Sequence, residues 1–191
     1  MGAAVSRPAP ATVPVELSAG ARLPERASEG ANGYDLCAHG LPEGGLTLGV
    51  GERALVGTGV KIALGGAALN KRVPADFAVY AAVRGRSGLA RRGVSVFEGT
   101  VDSDYRGEIG VILTNNSTEP FKVDNGDRVA QLVFAVCALP TLQLCAAVNE
   151  LHPSARGERG FGSTGVQEVV VAKPLTEPQE EEEQAKGGES V

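Results

Sequence analysis

Apolar and polar residues alternate along this chain in short runs, and each run ends in turn-forming residues. Short runs bounded by turns in this way predict strands at Val13 to Leu17, Leu46 to Val50, Arg53 to Val56, Thr58 to Leu64 and Phe77 to Val83. Further strands are predicted at Val94 to Phe97, Glu108 to Thr114, Phe121 to Val123 and Val129 to Val136. Few apolar runs show helical spacing. Many short strands at close intervals make the fold class all-β, a sandwich or barrel, with Gly65 to Pro74 as an extended surface loop. Beyond Leu139-Pro140 the pattern changes: Thr141 to Val148 is a short apolar run, and Asn149 to Gly165 is polar and glycine-rich, like an arm with no local surface to pack on.

Composition agrees with this reading. The chain has 26 glycines, 11 prolines and no tryptophan, and 191 residues at 42% hydrophobic content suffice for one domain with a real core. No stretch approaches the roughly 18 consecutive apolar residues of a spanning helix, and no apolar signal-peptide core opens the chain. The expectation is an intracellular protein, of cytoplasm or nucleus, with no membrane contact. Met1 to Ser6 fits the M-G-x-x-x-[ST] acylation pattern, but a single acyl chain would anchor only marginally. Cys37, Cys137 and Cys145 are odd in number and lack C-x-x-C spacing, so they read as reduced apolar residues rather than a disulfide framework or zinc site. The N-x-[ST] matches within Asn115 to Thr118 carry no weight without secretion.

Charge divides the chain. Val166 to Val191 holds seven Glu and two Lys, which is −5, the whole formal net charge; residues 1–165 therefore sum to zero. A neutral body with an acidic end excludes non-specific nucleic-acid binding, which needs a basic face. The predicted organisation is a disordered N-terminus over 1–12, a β domain over 13–148, the arm over 149–165 and a disordered acidic tail over 166–191.

Candidate chemistry lies in glycine-flanked blocks. Gly99-Thr100-Val101-Asp102-Ser103-Asp104-Tyr105-Arg106-Gly107-Glu108 sets carboxylates, a ring and a guanidinium ahead of an apolar run, on a hairpin arm at a sheet edge; taken alone it could be a solvated polar turn. Gly85-Arg86-Ser87-Gly88-Leu89-Ala90 offers a cation, a hydroxyl and open N–H groups to a phosphate, or is an ordinary Gly/Ser turn. In Asn125 to Leu132, alternation puts Arg128, Ala130 and Leu132 on one face and Asp127, Val129 and Gln131 on the other. Asp127 and Arg128 could each make a structural ion pair; Gln131, a neutral amide inside a strand, calls for a specific partner. Arg156 to Gly165 spaces its glycines like a P-loop from Gly157 to Thr164, yet Ser163 stands where lysine is required. What remains there is an arm with a phosphate-matching Arg, two hydroxyls and Phe161, a ring able to cap a flat ligand.

With Ala31-Asn32-Gly33-Tyr34-Asp35-Leu36, these blocks resemble, in order and spacing, the five motifs of trimeric dUTP nucleotidohydrolases (dUTPases), over about Val13 to Gly165. The resemblance implies a β jelly-roll that forms a homotrimer, with active sites between subunits and a C-terminal arm exchanged into a neighbour's site. It implies hydrolysis of dUTP to dUMP and pyrophosphate with magnesium bound by the triphosphate.

By motif position, Asp102 is then the general base for the water that attacks the α-phosphorus, and Tyr105 packs on the deoxyribose where a 2′-hydroxyl would collide. Backbone near Gly99 and Gly110 reads the uracil edge. Asp35, through water, and Gln131 address magnesium-bound waters or phosphate oxygens, and Arg86, Ser87 and Gly88 hold the phosphates. From the arm, Arg156, Ser163 and Thr164 clamp the γ-phosphate beside Gly162, while Phe161 stacks on uracil. Two residues depart from the family pattern: Gly85 replaces a frequent proline, and Arg159 replaces an arm glycine and bears on arm ordering.

Two alternatives are a non-catalytic nucleotide-sensing or protein-binding module on the same trimer and a dCTP deaminase. Deaminases of similar fold place a catalytic glutamate where this chain has Ile112.

Overall fold

A computed structural model describes residues 11–65, 69–148 and 154–155. The chain divides into two units, with the boundary between Thr141 and Leu142, and the strands belong to the first. In chain order they are β1 (Val15–Leu17), β2 (Tyr34–Cys37), β3 (Leu46–Leu48), β4 (Arg53–Gly57), β5 (Val60–Ile62), β6 (Phe77–Arg84), β7 (Val94–Phe97), β8 (Gly99–Val101), β9 (Gly110–Asn115), β10 (Phe121–Val123) and β11 (Arg128–Ala138). One helical turn, α1 (Ser87–Ala90), follows β6, and a 3-10 turn at Asn70–Arg72 lies inside the predicted surface loop. No helix among the described residues is long and apolar enough to cross a membrane. The expected disorder over 1–12 lies outside the described residues except for Ala11 and Thr12, and the acidic tail lies wholly outside them.

Every ladder among the described residues is antiparallel. A four-stranded sheet runs β2-β11-β6-β8, a three-stranded sheet runs β4-β9-β7, and β1-β5 and β10-β3 form two-stranded pairs, which gives the all-β, jelly-roll-like fold. Alternation in β9 buries Val111, Leu113 and Asn115 and leaves Gly110, Ile112 and Thr114 less covered. The inward residues form one cluster that draws Leu36 from β2, Val83 from β6, Val56 from β4, Leu48 from β3 and Leu132 from β11. Each fully buried Leu or Val contributes roughly 1.5–3 kcal/mol. An exposed ion pair such as Lys122–Asp124, at 2.8 Å, contributes about 0–1 kcal/mol, so the core and not the surface charge holds the fold.

Several elements depart from the predicted pattern. Tyr34–Cys37 is a strand although Gly33 and Asp35 interrupt its apolar run, because β2 is fixed by pairing with β11. The residues Asp102 to Glu108 follow an edge strand, as predicted, but not as one arm of a paired hairpin. β8 pairs only with β6, while β9 is central in the other sheet, so the connection crosses between sheets. In β11 the register shifts between Arg128 and Ala130, so Val129 and Ala130 are both buried and strict alternation fails there.

Asn115 closes β9 with no exposure at all. Its amide donates to Leu48 O at 2.9 Å and Glu119 O at 2.7 Å, and its Oδ1 accepts from Ser117 N at 3.0 Å and Ser117 Oγ at 2.7 Å. The first residue of the N-x-[ST] matches is thus an internal strut. On the outer face of the three-stranded sheet, Leu55, Ile112 and Phe97 stand in register as an apolar row, with Leu55 70% and Phe97 67% exposed.

Candidate active site

Where β8 leaves its sheet, a cleft of about 200 Å³ gathers Gly99, Asp102, Tyr105, Glu108 and Gly110, four of which are predicted site residues. Val101 is buried and pins the strand, and the Tyr105 N–H donates to Asp102 O at 3.1 Å, closing a tight turn that leaves the Asp102 side chain exposed. Among the described residues no donor engages the Asp102 carboxylate, so it is open to a water proton. Tyr105 is half exposed, and its phenol donates to Glu108 O at 2.9 Å. Arg106 turns back on its own loop, donating to Ser103 O at 2.9 Å and Tyr105 O at 2.8 Å. Glycine at 99 leaves open space where a Cβ would stand, whereas at 110 the Leu55 side chain fills that space, so it is the Gly99 backbone that is bared along the cleft wall and suits reading a planar base edge.

A second group forms where β2, β11 and the end of β6 meet. Asp35 is 9% exposed and accepts from Arg86 Nε at 3.1 Å and from Arg128 Nη1 at 3.5 Å. Arg86 also donates to Arg128 O at 3.0 Å. Gln131 stands in register between Asp35 and Arg84, and a Cβ on Gly33 would lie 2.9 Å from Gln131 Oε1, so the bare glycine makes room for that amide. Arg84 pairs with Glu98. Ser87 and Gly88 open the exposed turn α1, where leading N–H groups have no partner within a helix. Arg86 and Gly88 line a cleft of about 330 Å³ whose wall includes Arg92, stacked 4.5 Å above the Phe121 ring, together with Lys122 and Arg128. Asp127 also lines it, and Lys122 pairs with Asp124 while Arg86 and Arg128 share Asp35, so the cleft has four cations to one carboxylate on its wall and a net positive lining suited to phosphate.

Sequence reasoning missed the pairing of Arg128 with Asp35, 93 residues apart, and the cations Arg92 and Lys122. No local signal announces a contact across that separation. An apolar groove of about 460 Å³ beside β1 contains none of the predicted site residues. Arg156, Phe161, Gly162, Ser163 and Thr164 lie outside the described residues.

The two groups do not share a cleft within one copy. Asp35, Gln131 and Arg84 occupy three adjacent strands and Val83 pairs with Gly99 on the next, so at about 4.8 Å per strand Gly99 lies roughly 14 Å from Asp35 across the sheet. Asp102 lies about 10 Å further along β8, away from Arg86. Neither group is a metal cage: among the described residues no three His, Cys, Asp or Glu side chains come together. The donor set, one carboxylate flanked by arginines, fits a cation delivered by a phosphate chain rather than one held by protein alone.

A family model for dUTPase matches residues 19–165. The chain belongs to the dUTPase family. A relative named deoxyuridine 5′-triphosphate nucleotidohydrolase, from Methylocella silvestris, is 43% identical over 146 residues, covering 75% of this chain and 82% of its own. Among solved structures, the dUTPase of Staphylococcus bacteriophage 80alpha with dUpNHpp matches at TM-score 0.66 and 24% identity, covering 81% of this chain and 99% of its own. A mutant dUTPase from phage phi11 of S. aureus, described for the coordination of a structural Mg(II) ion, matches at TM-score 0.58 and 22% identity over 71% and 97%. At these identities the phage enzymes show the dUTPase fold alone.

Proposed function

We propose that this protein is a dUTP diphosphatase, which hydrolyses dUTP to dUMP and pyrophosphate. The observation that carries the reading is the cleft in which Asp102, Tyr105 and the Gly99 and Gly110 backbone converge. That set can hold a water, a sugar face and a base edge at once. Asp102 accepts a proton from the water that attacks the α-phosphorus, and its exposed side chain needs only to be held against that water. Tyr105 presents its ring to the deoxyribose, where a 2′-hydroxyl would collide with it. Backbone near Gly99 and Gly110 hydrogen-bonds the uracil edge and so excludes cytosine by donor pattern and thymine by its methyl group.

Phosphoryl transfer is chiefly positioning and charge neutralisation, and the Arg86, Ser87 and Gly88 surface supplies both for the phosphate chain. Asp35 and Gln131, neighbours in register, would hold metal-bound waters or phosphate oxygens. When bound, magnesium would mask the charge of the triphosphate. Arg156, Ser163 and Thr164 would close on the γ-phosphate and Phe161 on the base.

The separation of Asp102 from the Arg86 surface supports a site completed between copies, as in a homotrimer, and the exposed Leu55, Ile112 and Phe97 row supports association. In that arrangement, equal mixing and reassembly of inactive Asp102→Asn and Arg86→Ala copies rebuilds about a quarter of the sites, if the two residues come from different subunits. Recovered pyrophosphate release measures it; no recovery above either parent rejects the shared site.

The function itself is tested by pyrophosphate and ammonia release from dUTP, dCTP, dTTP and UTP, with and without magnesium. Pyrophosphate from dUTP alone, without ammonia from dCTP, is the expected result. Ile112, an aliphatic residue in β9, cannot shuttle the protons of deamination.

A further inference from the structure

We infer that Glu108 is a positioning residue that sets the Tyr105 ring at the sugar and thereby enforces deoxyribose over ribose; the inference rests on the dUTP reading above. The Tyr105 phenol is bonded to the Glu108 carbonyl at 2.9 Å, so wherever the Glu108 backbone goes the ring follows. A Cβ on Gly107 would run into the Tyr105 phenol, so the ring can fold back to that carbonyl only over a bare residue.

The Glu108 backbone is in turn fixed from a turn about 50 residues earlier. Its Oε1 accepts from Thr58 N at 2.9 Å and Gly59 N at 2.8 Å, two successive amides between β4 and β5. Beside this clamp, Thr58 Oγ1 donates to Ile109 O at 2.6 Å, and Ile109 N donates to Val60 O at 2.8 Å. Two glycines make the clamp possible. Gly59 has φ +65°, which favours glycine, and a Cβ on Gly57 would lie 2.8 Å from Oε1. Thr58 is 1% exposed, so the anchor is rigid, while Tyr105 at 45% is a movable surface group. A carboxylate bound to two amides on that anchor is a charge-assisted tie. Without it, the Glu108–Ile109 peptide is held only from the Ile109 side, by the Val60 and Thr58 bonds, so the Glu108 carbonyl and the ring bonded to it gain room to shift and the space denied to a 2′-hydroxyl widens.

The test is steady-state pyrophosphate release from dUTP and UTP by the full chain, with thermal melting of each variant. Glu108→Ala is expected to raise KM for dUTP about tenfold, keep kcat within about threefold, and lower the dUTP:UTP ratio of kcat/KM by about tenfold or more. Glu108→Gln retains an oxygen for both amides and should restore the ratio to within about threefold. Tyr105→Phe cuts only the far end of the linkage and should lower the ratio comparably, with no further loss when combined with Glu108→Ala.

An unchanged ratio in folded Glu108→Ala overturns the inference. If that variant does not fold, an unchanged ratio in Tyr105→Phe does so instead. Failure of the wild type to cleave dUTP overturns the dUTP reading and the inference together; an active wild type with an unaltered ratio overturns the inference alone.

Discussion

Asp102→Asn is expected to slow dUTP cleavage by about 10³-fold or more, while affinity for a non-hydrolysable dUTP analogue changes by less than about threefold. Asparagine has the same shape and can still hydrogen-bond a water, but its amide oxygen cannot take the proton that the attacking water must lose. The Asp102 side chain is exposed, and no donor among the described residues competes for it, so the substitution disturbs neither packing nor a structural bond. A loss confined to kcat is the signature of an interaction that matters in the transition state. Single-turnover pyrophosphate release and calorimetric titration of the analogue measure the two halves; turnover near wild type would remove Asp102 from the role of base.

The other large effect is on stability. Asn115→Ala deletes a side chain that donates to Leu48 O and Glu119 O and accepts twice from Ser117, at a site with no exposure. It leaves buried partners unsatisfied and a small void where β9 meets β3, so the cost should be about 3 kcal/mol. At roughly 2–4 °C per kcal/mol for a chain of this size, Tm should fall by about 6–12 °C. Asn116→Ala, on an exposed side chain bonded to Ser95 Oγ, is the control and should change Tm by less than about 2 °C. Equal shifts for the two would show that the interior bonds of Asn115 carry no special weight.

Much of this was legible in the sequence because strand alternation and chemically distinctive residues are local properties. β9 is readable from period two, since it buries one side chain in two along its length, and β6 is readable as a short apolar run, with Ala81, Ala82 and Val83 all buried. For β8 only the place at a sheet edge was legible, because three residues beginning with glycine have too little pattern to set the bounds of a strand and owe their pairing to β6. α1 was not readable: a glycine in a four-residue helix argues for a turn, and tertiary placement overrides that preference. Asp102, Tyr105, Gly99 and Gly110 were picked out by type and order, and the fold brings them to one cleft. What escaped was connectivity. The Asp35–Arg128 tie and the Glu108 clamp each join residues dozens of positions apart, and neither partner advertises the other. The bulge in β11 escaped for a related reason, because an extra residue is a response to the partner strand rather than a property of Arg128 or Val129 alone.

Three glycines, at 33, 57 and 107, lie under Gln131, Glu108 and Tyr105, and their contribution is vacancy. Part of the recognition apparatus is therefore encoded by atoms that were never added. On the proposed reading, exchanging any of these three glycines for alanine is expected to displace the side chain above it with every polar group still in the chain, and a catalogue of reactive side chains would record no loss.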